Sequence, residues 1–259
     1  MRARATRPSA SLANAFCVGL LAAGFFPQQA AAADDAAQLF RLPSPSPANQ
    51  VAAARSIIVT QGVAAQDAKR ADFAREHASH DARHVANWIV DSGDNRSMPF
   101  AIVDKKDAKV FVFDAHGRLR GAAPALLGLA RGDDAVPGIG SRELSSIHPE
   151  ERTTPAGRFV AALDRNVRGK EILWVDYDGA VSMHPVITGK REERRAQRLA
   201  TPTPLDNRIS YGCINVPEKF FENVVHPAFT GTDGIVYVLP ETRSAREVFA
   251  SYDVGERAR

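Results

Sequence analysis

From Met98 onward the chain breaks into short β-type runs separated by turn signals, with few helices between them. Phe100-Ala101-Ile102-Val103, Lys109-Val110-Phe111-Val112-Phe113 and Arg118-Leu119-Arg120 are split by Asp104-Lys105-Lys106-Asp107 and by His116-Gly117. Further runs of this type occupy residues 157–163, 172–176, 180–184 and 234–239, two of them separated by Asp176-Tyr177-Asp178-Gly179. β-branched and aromatic residues favour a pleated, half-buried surface, and Gly/Asp clusters end it. Helical patterning is confined to 217–225 and 244–252 in this half. These features predict an α+β fold whose catalytic domain over 98–241 is mainly antiparallel β, with a C-terminal helix and tail over 242–259.

The N-terminal part has a different texture. Arg2, Arg4 and Arg7 precede an apolar stretch from Leu12 to Phe26, and Ala30-Ala31-Ala32-Ala33 offers small residues before Asp34. This is the pattern of a secretory signal over 1–33, and the apolar stretch is shorter than a membrane span needs. An uncleaved anchor is the alternative. Cys17 stands at the start of the apolar run, the wrong place for a lipid-attachment cysteine. Pro43-Ser44-Pro45-Ser46-Pro47 makes 34–50 an extended linker. Residues 51–97 read as a helical accessory segment, with Ala74, Ala78, Ala82, Val85 and Ile89 at helical spacing, ended by Asp91-Ser92-Gly93-Asp94.

Charge and cysteine content then narrow the function. The formal net charge of +3 lies wholly in Arg2, Arg4 and Arg7, so the chain after the signal is balanced. It gives no global electrostatic reason to bind nucleic acid or an anionic membrane. Of two cysteines, Cys17 leaves with the signal and Cys213 stays, so neither an internal disulfide nor a multi-cysteine metal site can form. A lone thiol in an exported protein is either inert and buried or retained for its chemistry.

Cys213 lies in Ser210-Tyr211-Gly212-Cys213-Ile214-Asn215. Gly212 permits a tight turn and leaves space beside the thiol, while backbone N–H groups there can face an oxyanion. A buried cysteine beside a turn glycine is the alternative. His77, His80 and His84 with Asp81 lie along one side of the helical segment and have ligand-like spacing, although a polar helix flank is the commoner outcome. His148 and His226 stand before prolines in loops, and His116 in a hairpin turn.

The segment Ser210-x-Gly212-Cys213-Ile214-Asn215 resembles the active-site motif of the L,D-transpeptidase catalytic domain family (YkuD-like). Thr154-Pro155-Ala156-Gly157-Arg158-Phe159 resembles that family's Thr-Pro-x-Gly-x-Phe segment, and Val181-Ser182-Met183-His184 resembles the strand end that presents its histidine. The resemblance covers about 99–240 and implies a β-sandwich catalytic domain. It further implies Cys213 as nucleophile, His184 as general base and later acid, and Ser210 orienting the imidazole or shaping the turn. The backbone N–H groups of Tyr211, Gly212 and Cys213 would form the oxyanion hole. Asn215, Tyr211 and Arg208 are the expected substrate contacts. Implied too are an exported, periplasmic or envelope location, peptidoglycan stem peptides as substrate, acyl transfer, and no metal or other cofactor. Two departures stand out: residues 185–209 form a long insert before Ser210, readable as a solvated loop, a short helix or a lid, and Tyr211 occupies a position that is often His. Water in place of an amine would make the chain an L,D-carboxypeptidase or a crosslink-cleaving hydrolase. A non-catalytic wall-binding protein is the third reading. Papain-like and NlpC/P60 peptidases place Cys before His, and sortases carry a Thr-Leu-x-Thr-Cys segment absent here.

Overall fold

The computed structural model describes residues 68–257. The expected signal, the linker and residues 51–67 of the helical segment lie outside the described residues.

Helix α1 spans His80–Ser92. The Ser79 hydroxyl accepts from the Ala82 N–H at its start, and Gly93 closes it in a left-handed conformation. The helix expected from about residue 50 is therefore absent from 68–79. Ala74 has φ +50, and the Asp72 backbone pairs with Gly117 and Leu119 instead. Phe73 packs edge-on to Phe111 and Phe113 at 5.5 and 5.0 Å between ring centroids, so aromatic burial overrides the local helical spacing.

Ten strands follow: β1 Phe100–Asp104, β2 Lys109–Phe113, β3 Leu119–Pro124, β4 Leu127–Gly128, β5 Gly157–Arg165, β6 Glu171–Asp176, β7 Val181–Pro185, β8 Arg208–Ser210, β9 Ile214–Val216 and β10 Gly234–Val238. Helix α2 is Arg195–Ala200, within the insert. Helix α3, Glu218–Phe220, runs through a π turn at Phe221–Val225 into α4, His226–Phe229. Helices α5, Ala245–Phe249, and α6, Val254–Arg257, close the chain. None of the described helices is long and apolar enough to cross a membrane.

Eight strands form one mixed sheet in the order β3-β2-β1-β10-β5-β6-β7-β9. The pairs β1–β10 and β7–β9 are parallel and the other neighbours antiparallel, so the sheet is mainly antiparallel as the sequence predicts. Val110 and Val112 from β2 share one core with Ile214 and Val216 from β9, at the opposite edge. The sheet therefore curls over this core, which α3, the π turn and α4 enter through Phe220, Phe221, Val225 and Phe229. Leu126 and Asn215 exchange both backbone hydrogen bonds at 2.8 Å, and β4 pairs with β8, so the segment after β3 meets the segment around Cys213.

Alternate residues of the same strands build a second core on the outer face. Phe100, Ile102, Phe111, Tyr237 and Leu239 pack there against Ala82, Val85, Trp88 and Ile89 of α1 and Phe249 of α5. Helix α1 is thus a layer of the sheet domain: its apolar face is buried on β1, β2 and β10.

Candidate active site

Strand alternation sets up the site. Val181 and Met183 of β7, with Ile214 and Val216 of β9, point into the first core. The intervening residues must therefore present Ser182, His184 and Asn215 on the other face, with His184 opposite Asn215 in the ladder. Cys213 stands one residue before β9. Its Sγ lies 3.7 Å from the Ser182 Oγ and 3.7 Å from the Ala180 carbonyl oxygen. Ser182, His184 and Asn215 are buried, whereas Cys213 is half-buried.

The turn before the thiol is built by Ser210. Its hydroxyl donates to the Cys213 carbonyl at 2.6 Å and accepts from the Gly212 N–H at 3.1 Å. Ser210 therefore shapes the turn, and it is Asn215, not Ser210, whose side chain meets the imidazole. The Gly212 N–H is committed to Ser210, which removes it from the expected oxyanion hole; Tyr211 and Cys213 remain as candidate donors. Gly212 itself is required twice. Its φ is +131, and a Cβ there would stand 2.9 Å from the Thr153 carbonyl oxygen. Its carbonyl accepts from the Thr154 hydroxyl at 2.8 Å, and the same hydroxyl accepts from the Gly128 N–H at 2.8 Å. The Thr154-Pro155 segment thus holds the Cys213 loop against β4.

The imidazole is fixed at both nitrogens. His184 Nδ1 lies 2.8 Å from the Pro185 carbonyl, which can only accept, so Nδ1 carries the hydrogen. Nε2 is then the basic nitrogen, and the Asn215 side-chain N–H₂ donates to it at 3.3 Å. The Asn215 amide oxygen accepts from Arg195 Nη1 at 2.6 Å. Arg195 belongs to α2, so the insert is packed structure that reaches the site. Leu199 is buried beneath it, and Arg198 donates to the Glu193 and Asp206 carbonyls at 2.9 and 2.6 Å.

Two of the expected substrate contacts separate here. Tyr211 lies at the surface, its ring covered on one face by the Arg152 guanidinium at 3.9 Å. Arg208 turns away from the thiol: it pairs with Glu241 at 2.7 Å and donates to the Lys105 carbonyl at 2.8 Å. It belongs to a buried polar cluster behind β8, because a guanidinium so far removed from water needs a carboxylate partner. In this cluster the Lys105 ammonium donates to Asp133 at 2.8 Å, to the Thr154 carbonyl at 3.0 Å and to the Gly132 carbonyl. Burial pushes the Lys105 amine down from its ordinary value, against the pull of Asp133. Burial would raise the Asp133 carboxyl, but hydrogen bonds from Lys105, Thr242 and the N–H groups of 241 and 242 hold it well below the usual carboxylate range.

Three other histidines have structural roles. His84 Nε2 meets the Ser251 hydroxyl at 3.0 Å, His226 pairs with Glu171 at 3.1 Å, and His148 caps the 3₁₀ turn Pro149–Glu151. Among the described residues no group of three or more His, Cys, Asp or Glu side chains gathers as metal ligands would. A cavity of about 580 Å³ borders the His184 side of the site, lined by Pro185, Val186, Arg168, Glu218 and Phe221 among others.

Ser182, Thr154 and Arg195 are the contributors to this site that residue patterns alone do not assign. Ser182 could have been found from strand alternation, being two residues before His184.

Among known proteins, no family model matches the chain and no curated protein matches it. Solved structures similar to the chain include the helical cell shape determining protein Pgp2 from Campylobacter jejuni, at 15% identity and a TM-score of 0.40, over 66% of this chain and 58% of that one. An L,D-transpeptidase from Mycobacterium tuberculosis H37Rv is similar at 15% identity and a TM-score of 0.34, over 54% of this chain and 57% of that one. The catalytic domain of an E. faecium L,D-transpeptidase is similar at 16% identity and a TM-score of 0.28, over 55% of this chain and 98% of that one. The chain thus spans under two thirds of the length of Pgp2 and of the mycobacterial enzyme.

Proposed function

We propose that this chain is an exported cysteine acyltransferase that acts on peptidoglycan stem peptides by L,D-transpeptidation. The observation that carries the reading is the placement of Cys213, Ser182, His184 and Asn215 along one face of the β7–β9 edge, with the imidazole held as the Nδ1–H form. Together with the motif around Cys213, this arrangement suits acyl transfer by a thiolate.

In the proposed reaction His184 Nε2 takes the Cys213 thiol proton, and Sγ attacks the carbonyl carbon of the stem's scissile L,D-side amide. The backbone N–H groups of Tyr211 and Cys213 face the oxyanion. The C–N bond breaks, the departing D-residue amine takes the proton back from His184, and a thioester remains on Cys213. An acceptor amine then attacks the thioester carbonyl and gives a proton to His184; the C–S bond breaks, His184 returns the proton to Sγ, and the product leaves as a new amide with the thiol restored. Water in the acceptor's place gives an L,D-carboxypeptidase or a crosslink-cleaving hydrolase with the same residues. A wall-binding protein without turnover is the non-enzymatic rival.

The test is incubation with purified tetrapeptide-containing muropeptides followed by mass analysis. Dimers with loss of the terminal D-residue are the expected product, absent from Cys213→Ala and His184→Ala. Monomers that only lose the D-residue would replace transfer by hydrolysis, and unchanged substrate would leave only the binding reading.

A further inference from the structure

The 185–209 insert contributes one side chain to the catalytic strip, and its geometry decides which way the Asn215 amide faces. A guanidinium has donors and no acceptor. Because Arg195 Nη1 donates at 2.6 Å, the group facing it must be the Asn215 amide oxygen. The amide nitrogen is therefore turned to His184 Nε2 at 3.3 Å and to the Cys213 carbonyl at 3.4 Å. Arg195 is itself anchored, since its Nε donates to the Glu193 carboxylate and its side chain is only 14% exposed. Glu193 also lies 3.7 Å from the Lys190 ammonium.

From this geometry we infer that Arg195 is a positioning residue that sets the tautomer of His184 through Asn215. The inference rests on the catalytic reading of Cys213 and His184. With Arg195 in place, the amide presents N–H to Nε2, and only a ring bearing its hydrogen on Nδ1 satisfies both Asn215 and the Pro185 carbonyl. Without it, the amide can turn over and present its oxygen, which favours a ring bearing hydrogen on Nε2. Such a ring has no lone pair there for the thiol proton. The 3.3 Å contact is long for a hydrogen bond, so it orients Nε2 while remaining easy to displace when the nitrogen accepts a proton. The insert is then part of the catalytic apparatus in this chain.

The experiment uses the full chain with its histidines ¹⁵N-labelled, reading the His184 ring nitrogens by NMR beside steady-state turnover of the tetrapeptide. The wild-type ring should carry hydrogen on Nδ1 with Nε2 bare. Arg195→Met should give a mixture of the two tautomers and lower kcat about tenfold with KM little changed. Arg195→Lys keeps a donor but not the fork that holds Glu193 and Asn215 together, and should fall between them. A wild-type ring protonated at Nε2 overturns the inference without any variant. So does an Arg195→Met protein with the wild-type thermal midpoint and an unaltered ring. A chain that shows the Nδ1–H ring and the shift in Arg195→Met, yet leaves the tetrapeptide intact, upholds the role of Arg195 and overturns only the transpeptidase reading.

Discussion

Two polar regions flank the segment from Arg208 to Asn215, and they are built to opposite specifications. Behind β8, Lys105, Asp133, Glu241 and Arg208 form a cluster in which two positive charges face two negative ones. The Lys105 and Asp133 side chains are fully buried and their bonds are short. On the other side, Cys213 Sγ lies 3.7 Å from both the Ser182 hydroxyl and the Ala180 carbonyl, and His184 Nε2 lies 3.3 Å from the Asn215 amide nitrogen. A buried charge must be fully compensated or the fold pays several kcal/mol, so the first region has no slack. The proposed reaction moves a proton between the thiol and Nε2, and groups that exchange a proton need partners that can be displaced; the long contacts to Ser182, Ala180 and Asn215 suit that need. Thr154 joins them: its carbonyl accepts from Lys105 and its hydroxyl donates to Gly212.

The largest effect expected from breaking this contrast lies in the rigid region. Lys105→Met fills the same space but leaves Asp133 without its ammonium, alongside the Glu241 carboxylate. Removing one partner of a buried ion pair costs about 3–5 kcal/mol. Urea unfolding should show a loss of that order. A loss below about 1 kcal/mol would mean that Arg208, Arg243 and the loop N–H groups compensate alone, and that the ammonium is dispensable.

A smaller effect is expected at the junction. Thr154→Val keeps the shape and the backbone carbonyl but deletes the hydroxyl between the Gly128 N–H and the Gly212 carbonyl. Two buried groups lose a partner, a cost of about 1–3 kcal/mol. Because the Cys213 loop is then held on one side only, alkylation of Cys213 by iodoacetamide should slow as well. Thr154→Ser should restore both. An unchanged alkylation rate in a destabilised Thr154→Val protein would separate the scaffold from the site and sink the idea that Thr154 couples them.

The same contrast explains what the residue pattern discloses. The strands and their turns are legible because alternation and turn chemistry are local. So is the Ser210–Cys213 turn, whose glycine has to adopt φ +131. His184 is legible as a strand-end residue through its motif. The helix start is not, because the burial of Phe73 against β2 is a tertiary event. Arg208 is expected among the substrate contacts, but its carboxylate partner Glu241 lies across the buried cluster, with no local pattern to signal it. The Gly212 N–H reads as an oxyanion donor until Ser210 is seen to occupy it. Arg195 is hidden for a related reason: it sits in a charged run that resembles solvated surface, and only packing of Leu199 turns the run into a support for Asn215.

The smallest effect should come from Ser182, and it tests the permissive side of the comparison most directly. Its hydroxyl is 3.7 Å from Sγ, a long contact even for sulfur, so its deletion in Ser182→Ala removes little bonding energy from the resting state. The stability change should stay below about 1 kcal/mol. The thiolate, unlike the thiol, is a charged acceptor, and a hydroxyl donating to it stabilises the reactive form preferentially. Ser182→Ala should therefore slow iodoacetamide alkylation of Cys213 at neutral pH by about two- to threefold. The deficit should vanish at high pH, where the thiol is ionised in both proteins. If the two proteins react alike at every pH, Ser182 only fills space beside the sulfur, and the contact serves the resting thiol alone. A deficit that persists unchanged at high pH would assign Ser182 to access, because steric approach does not depend on the ionisation of the sulfur.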